Sequence, residues 1–213
     1  MNQWLNPIVD TYLKYFGASN RPVVWEVGSR DGHDCFELMK RISSGWRAEQ
    51  QATLVCIEPN PDQANTIAQN YPQATVYQLA VGDKPQKAKF KVYHGNKGDV
   101  GSSSLRMDWK KGSGLRSHII TVQVVRLDEL LDNEFVDIMK IDCEGYGYQA
   151  LVGLGDKLKQ VKVLHIETEH DSKSDVKVKA YLENRGWIIT DITEQYGGMP
   201  DITAVNASLV LPK

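Results

Sequence analysis

Residues 23–34 read VVWEVGSRDGHD. The apolar run is interrupted by Glu26 and stops at Gly28; Gly32 follows, with Arg30 and Asp31 between the glycines. Next comes DCFELMKRI (34–42), in which Cys35, Met39 and Ile42 fall on one side. A short apolar run bounded by glycine and followed by such a pattern predicts a buried strand turning into a helix. A plain turn of this kind needs one glycine. Two glycines bracketed by carboxylates predict backbone that another group approaches closely.

The same unit recurs outward from this stretch. ATLVCIEP (52–59) predicts a second strand, PDQANTIAQNY (61–71) a helix and TVYQLAVG (75–82) a third strand. VDIMKID (136–142), GYQALVGL (147–154), VKVLHIETE (161–169) and SDVKVKAYLENRG (174–186) continue the alternation. WIITDIT and DITAVNASLVL, joined by EQYGGMP, read as a closing pair of strands. Before the first strand, Trp4, Ile8, Tyr12 and Phe16 recur every four residues. They predict a helix within 1–20, with Asn6 as its cap, Pro7 in its first turn and Gly17 as its stop. Segment 84–125 breaks the rhythm. AKFKVYH alternates like a half-exposed antiparallel strand, residues 95–118 form a Gly/Ser-rich loop, and IITVQVVRL is extended. Repeated strand–helix–strand units predict an α/β fold, a doubly wound and mostly parallel sheet covered on both faces, in a single domain over 1–213 with an insertion at 84–125. Such sheets bind ligands at the carboxyl ends of their strands.

With 41% hydrophobic and 24% charged residues among 213, the chain has the composition of a globular protein with a real core. A net charge of −2 gives no global attraction to nucleic acid. The charge is uneven: residues 84–118 carry nine Lys/Arg and two Asp (+7), the remainder 16 Lys/Arg and 25 Asp/Glu (−9). This points to an anionic partner or to a solvated loop. Three widely spaced cysteines without a CxxC pair predict neither a disulfide framework nor a cysteine zinc site. The N-terminus lacks a basic n-region, and no stretch approaches the ~20 apolar residues of a membrane span. The expectation is a cytoplasmic protein without membrane attachment.

The dinucleotide fingerprint GxGxxG is absent, the spacing being Gly28-x-x-x-Gly32. A pyrophosphate favours a bare helix N-terminus, whereas this turn carries Glu26 and Asp31. Carboxylates suit a ligand bearing an ammonium, a sulfonium and ribose hydroxyls, as S-adenosylmethionine does. Glu58, ending the second strand, stands where an acid grips ribose hydroxyls in nucleotide-binding α/β folds. The alternative readings are tight packing for the glycines and helix capping for Glu58.

At VDIMKIDCEGYGYQALVG (136–153) the sequence resembles the FkbM family of S-adenosylmethionine-dependent methyltransferases. The resemblance rests on Leu127-Asp128, Lys140-Ile141-Asp142, Glu144-Gly145, Leu151 and Gly153, with EVGSRDG, CIEPNP, LAVGD and SSSL in order, over about 23–170. It implies the class I methyltransferase fold, a Rossmann-like seven-stranded sheet whose last strand is antiparallel, and mostly O-methylation of sugars and secondary metabolites. It also implies site residues. Glu26, Gly28, Ser29, Arg30 and Gly32 would lie along the methionine moiety. Glu58 would take the ribose, Pro59 and Asn60 the next turn, and Ala80 and Val81 the adenine edge. Asp142 would stand at the methyl-transfer centre, and Ser102, Ser103, Ser104 and Glu144 in the acceptor pocket. Two positions depart from the family pattern: Glu26 stands for aspartate and Arg30 for asparagine.

Methyl transfer demands in-line alignment, and a hydroxyl acceptor must also lose its proton. Asp142 and Glu167 are the candidate bases. Strand alternation puts Lys140 beside Asp142, and Lys140 is expected in a structural ion pair with Glu26 or Glu167. His165, Glu167 and Glu169 share a face without a recognised ligand spacing, so no metal is expected. Lys110, Lys111 and Arg116 are candidates for an anionic group of the acceptor, and 95–118 for a lid. The leading expectation is O-methylation of a sugar or other small molecule. The alternatives are a nucleic-acid methyltransferase using the basic 84–118 segment and a non-catalytic binding protein of this fold. The first is disfavoured because DCEG stands where exocyclic-amine enzymes carry an Asn/Asp-Pro-Pro-aromatic turn. The first helix and the extended pieces near 88–125 are the candidate surfaces for a homodimer.

Overall fold

The computed structural model describes residues 3–95, 98–99, 101–108, 113–168, 174–195 and 199–210. Along the chain run α1 (Asn6–Phe16), β1 (Val23–Val27), α2 (His33–Ile42), α3 (Trp46–Glu49), β2 (Thr53–Ile57) and α4 (Pro61–Asn70). Then come β3 (Thr75–Tyr77), β4 (Ala80–Val81), β5 (Gln86–Gly95), β6 (Gly98–Asp99), β7 (Arg116–Val125) and α5 (Leu127–Leu130). The last are β8 (Val136–Ile141), α6 (Gly147–Gly153), β9 (Val161–Glu167), α7 (Ser174–Glu183), β10 (Trp187–Gln195) and β11 (Met199–Asn206).

The principal sheet has seven strands in the order β3-β2-β1-β8-β9-β11-β10. β11 alone runs against its neighbours, antiparallel to both β9 and β10. The expected doubly wound sheet with a C-terminal antiparallel hairpin is the one observed. Alternation along β1 sends Val23, Trp25 and Val27 into a core with Leu151, Val178 and Leu182 of α6 and α7. Val24 faces the opposite core, with Ile8 and Tyr12 of α1 and Leu38 and Ile42 of α2. The register places Glu26 beside Lys140, Lys140 beside His165 and His165 beside Thr203, a polar row across four strands.

Three expectations need correction. The run TVYQLAVG is two strands in different sheets: at Gln78 the chain turns, with the Leu79 N–H donating to the Tyr77 carbonyl at 3.0 Å. Ala80 and Val81 then pair with Val124 and Val125. Uniform strand propensity hides such a break, because propensity is blind to which neighbour a strand will meet. The loop expected over 95–118 is shorter, because β6 and the start of β7 fall within it; the two extended pieces expected on either side are β5 and β7 of a second sheet, ordered β4-β7-β5-β6. β5 and β7 pair antiparallel from Gln86 opposite Val124 to His94 opposite Arg116, over a small core of Ala80, Phe90, Val92, Val122 and Val124. Asn6 is not the cap of α1. Leu5 holds that position, and the Asn6 carboxamide oxygen accepts from Arg41 at 2.7 Å. The four-residue helices α3 and α5 were not anticipated, being too short to show a helical period.

Cys35, Cys56 and Cys143 are free thiols. Among the described residues no helix is long and apolar enough to cross a membrane.

Candidate active site

A cavity of about 550 Å³ opens where the carboxyl ends of β1, β2, β8 and β9 meet. Its floor is the turn that follows β1. Gly28 sits at φ +85°, and a Cβ there would stand 1.8 Å from the Asp142 carbonyl oxygen. The bare Cα lets β1 and β8 close on each other, and the Asp142 N–H donates to the Val27 carbonyl at 2.8 Å. Gly28 therefore serves strand packing as well as the cavity wall. Gly32, at φ +75°, does not line the cavity, and a Cβ there would stand 3.1 Å from Ile67 and Tyr71 of the α4 region. That close approach agrees with packing, one of the two readings open from the sequence.

The rest of the turn is held by hydrogen bonds. The buried Ser29 hydroxyl donates to the Glu26 carbonyl (2.6 Å) and accepts from the Ile57 N–H (3.1 Å). Glu58 accepts from the Arg30 N–H on one oxygen (2.9 Å) and from the Asn60 N–H on the other (2.8 Å). Asn60 caps α4 by accepting from the Asp62 N–H at 3.1 Å and stands behind the wall. Pro59, Ala80 and Val81 line the cavity, together with Ile57, Leu79 and Phe90. Of the serine stretch, Ser103 and its neighbours Gly101 and Leu105 reach the cavity, while Ser102 and Ser104 do not. Ser104, fully buried, donates to the Glu144 carbonyl at 2.5 Å and so ties the second sheet to the turn after β8. Glu144, at φ +46°, lines the cavity. Arg116 lies on the far end of β7, away from the cavity, and Lys110, Lys111 and Glu169 lie outside the described residues.

Charge is concentrated here. Eight lining residues are Asp or Glu and two are Lys or Arg. Lys140 is 3% exposed and meets Asp142 at 2.8 Å, Asp34 at 3.4 Å and Glu26 at 3.6 Å. The Trp4 ring stands 5.2 Å from its Nζ. Burial works to lower the Lys140 pKa, and the three carboxylates overcome it and hold the ammonium charged. The expected structural ion pair with Glu26 is present, and it has two further partners. Burial pushes Glu26 well above the ordinary carboxylate range, opposed by Lys140. Burial would raise Asp142 as well, but Lys140 and a hydrogen bond from Glu167 bring it below its usual value. Glu167 moves the other way, raised by burial and by the Asp142 charge and hydrogen bond. Asp142 is thus the ionised member of a carboxyl pair and Glu167 the protonated one.

This pairing has a sign that can be checked. At neutral pH folded Glu167 holds a proton that the unfolded chain does not, so stability falls as pH rises from the ordinary carboxylate range toward the raised value. Glu167→Gln, which carries hydrogen atoms at all pH values, is expected to lose that slope and gain melting temperature at pH 8 relative to pH 5. Thermal melts of both proteins across that window measure it; an unchanged slope would refute the shared proton.

Among the described residues two clusters have metal-ligating atoms within 4.8 Å of one another: Glu26, Cys35 and Cys56, all buried, and Asp142, Glu144 and Glu167, which faces the cavity. In the first, Glu26 is already committed to Lys140 and to the Cys35 N–H at 3.2 Å.

Several lining residues escaped the sequence reading. Trp4 reads there as part of an apolar helix stripe, Phe90 as a strand residue and Asp34 as a helix start; Leu79, Tyr146 and Asp201 carried no signal. His165 was noticed only for sharing a face with Glu167. Buried in the wall, it holds Thr203 at 3.0 Å and Asp201 at 3.6 Å.

A seven-stranded sheet with one reversed strand, and an acid-rich cavity at its carboxyl ends, define the fold of class I S-adenosylmethionine-dependent methyltransferases. Residues 26–189 match the methyltransferase FkbM domain, and the chain belongs to that family, whose cofactor is S-adenosylmethionine. No curated protein matches the chain. Solved structures share the fold at low identity. A putative rRNA-methylase from Clostridium thermocellum aligns with TM-score 0.54 and 10% identity, covering 97% of this chain and 96% of that one. M. capricolum TrmK in complex with S-adenosyl-homocysteine gives 0.51 and 10%, over 97% and 69%. A precorrin-6y C5,15-methyltransferase from Geobacter metallireducens gives 0.51 and 12%, over 92% and 87%.

The cavity suits that cofactor by its chemistry. Ile57, Leu79, Ala80 and Val81 form an apolar edge that an adenine would fit, the Glu58 carboxylate could accept from ribose hydroxyls, and the surplus of carboxyl groups would favour a ligand bearing sulfonium and ammonium charge.

Proposed function

We propose that the chain O-methylates a hydroxyl of a sugar or another small molecule, with the reaction centred on Asp142. The observation that carries this reading is the Asp142–Glu167 carboxyl pair facing the cavity, with Asp142 kept ionised by Lys140. S-adenosylmethionine, when bound, supplies an electrophilic methyl group on a sulfonium. Glu26, Gly28 and Ser29 hold the methionine end, Glu58 the ribose, and Pro59, Ala80 and Val81 the adenosine side. Gly32 and Asn60 support these from behind. Alignment alone supplies ~7–11 kcal/mol of such a barrier.

The Asp142 carboxylate accepts a hydrogen bond from the acceptor hydroxyl and fixes its oxygen. A low pKa does not disqualify it as a base. A hydroxyl oxygen that gains a methyl group becomes an oxonium, far more acidic than any carboxylic acid, so the proton passes to Asp142 late in the transfer. Glu167, already protonated, donates a hydrogen bond to Asp142 and keeps it aimed. Ser103 and Glu144 line the acceptor side.

The first test is calorimetric titration with S-adenosylmethionine and S-adenosylhomocysteine. Micromolar binding to the native chain is expected, at least tenfold weaker in Glu58→Ala, a loss of ~1.4 kcal/mol or more. Product release is then followed over a pool of sugars and small hydroxylated acceptors, where Asp142→Asn is expected to lose roughly 10²–10⁴ in rate. A folded protein that binds neither compound would overturn the reading.

A second reading draws on one observation. Lys87, Lys89 and Lys91 line one face of β5, opposite Gln123, Thr121 and Ile119. That row fits an RNA acceptor, and RNA binding that weakens steeply with salt would favour it.

A further inference from the structure

We infer that Arg30 is an anion seat at the cavity mouth, taking a carboxylate or phosphate group carried by a ligand of this site. The inference rests on the cofactor and reaction class above and names a chemistry they leave open.

Arg30 has a positive φ of 50°, a conformation a side-chain-bearing residue adopts at a cost of about 1–2 kcal/mol. The Glu58 carboxylate holds it there by accepting its backbone N–H at 2.9 Å. The side chain then runs across Gly101. A Cβ on Gly101 would lie 2.9 Å from Cδ, 3.0 Å from Nε and 3.3 Å from Cζ of Arg30, so the stem and guanidinium rest directly on the glycine. Two elements from different sheets therefore cooperate to aim one exposed side chain. In a cavity with eight Asp and Glu side chains in its walls, the guanidinium forms no ion pair or hydrogen bond with any of them among the described residues. Lys140, the other cation of the cavity, is consumed by Glu26, Asp34 and Asp142.

A guanidinium presents five donors in a planar fork suited to two oxygens of a carboxylate or phosphate. Positioning it at an energetic cost and leaving the fork without a protein acceptor is the arrangement of a ligand contact. It also answers an electrostatic need. An anionic oxygen group entering a cavity dominated by carboxylates is repelled unless a fixed cation meets it. Two sources offer such a group: the amino-acid carboxylate of the cofactor, and an acidic substituent on the acceptor.

The experiment compares the native chain with Arg30→Met and Arg30→Lys, using three probes: S-adenosylhomocysteine, 5′-methylthioadenosine, which lacks the amino-acid carboxylate, and inorganic phosphate. Phosphate is titrated with and without saturating S-adenosylhomocysteine. If the cofactor is the source, Arg30→Met binds S-adenosylhomocysteine at least tenfold more weakly with methylthioadenosine unchanged. Phosphate then binds only the cofactor-free native chain. If the acceptor is the source, cofactor affinity is unchanged, and phosphate binds the S-adenosylhomocysteine-loaded native chain but not Arg30→Met. In either case Arg30→Lys, which keeps the charge without the fork, falls between the two. Equal binding of all three probes to native and Arg30→Met proteins would overturn the inference. So would equal weakening of both nucleosides, which would mark Arg30 as support for the turn. Should the native chain bind no nucleoside, the cofactor reading fails on its own, and the phosphate titration of the cofactor-free proteins still decides for or against Arg30.

Discussion

Lys140→Met is expected to cost about 3–5 kcal/mol, a large share of the ~5–15 kcal/mol that holds an ordinary domain folded. Methionine matches the lysine stem in volume, so the loss is one of charge rather than of packing. At 3% exposure the ammonium is the common partner of Glu26, Asp34 and Asp142, and its removal leaves uncompensated carboxylates at the end of a buried sheet. The loss has a pH signature. The depressed pKa of Asp142 gives the native chain stability that is present above the ordinary aspartate value and lost as pH falls through the lowered one. The variant lacks that contribution, so the gap between the two proteins is widest near neutrality and narrows as pH falls from about 4 toward about 2. Urea unfolding at several pH values measures it. A difference below ~1 kcal/mol at pH 7, or one that widens in acid, would show that the cluster is not held by Lys140.

Gly28→Ala is expected to be at least as damaging, through geometry. The added methyl would stand 1.8 Å from the Asp142 carbonyl oxygen, in backbone that cannot swing aside. Relief requires β1 and β8 to part at their carboxyl ends, breaking the hydrogen bond from the Asp142 N–H to the Val27 carbonyl. The positive φ of 85° adds about 1–2 kcal/mol for any side chain. Together these place the expected loss above ~4 kcal/mol, in the range reserved for severe core disruption. Gly17→Ala supplies the control. With φ 73° and ψ −174° it too lies in backbone that favours glycine, but no atom lies within 4 Å of the new methyl. It is expected to lose about 1–3 kcal/mol, from conformational strain alone. Equilibrium unfolding of the two variants side by side separates conformational strain from collision, and similar losses in both would refute the collision account.

The FkbM-like motif shows how a sequence signal can be read correctly and still not disclose its work. Leu127, fully buried, starts α5, and Asp128 takes the Arg126 guanidinium in a fork at 2.5–3.2 Å. Gly153 packs so closely that a Cβ would lie 2.3 Å from the Gly82 carbonyl oxygen. These residues bind α5, α6 and the end of β4 into one seam behind the cavity. Glu58, by contrast, stands out in the sequence by its place at a strand end, and the structure shows its carboxylate lining the cavity while accepting from the Arg30 and Asn60 N–H groups.

The order of strands and helices, the parallel core and the position of the cavity at the strand ends were determined by the sequence itself, because apolar periodicity and glycine turns act over a few neighbouring residues. The split of TVYQLAVG between two sheets was decided by tertiary structure, since both halves favour extended backbone and only their pairing partners differ. The state of the carboxylates was decided there too. Residues 26 and 34, 140 and 142, and 167 lie in three stretches far apart along the chain, and the register of β1, β8 and β9 with the packing of α2 brings them together. Ionisation depends on those through-space distances and on burial, so which carboxyl keeps its proton is a property of the assembled sheet.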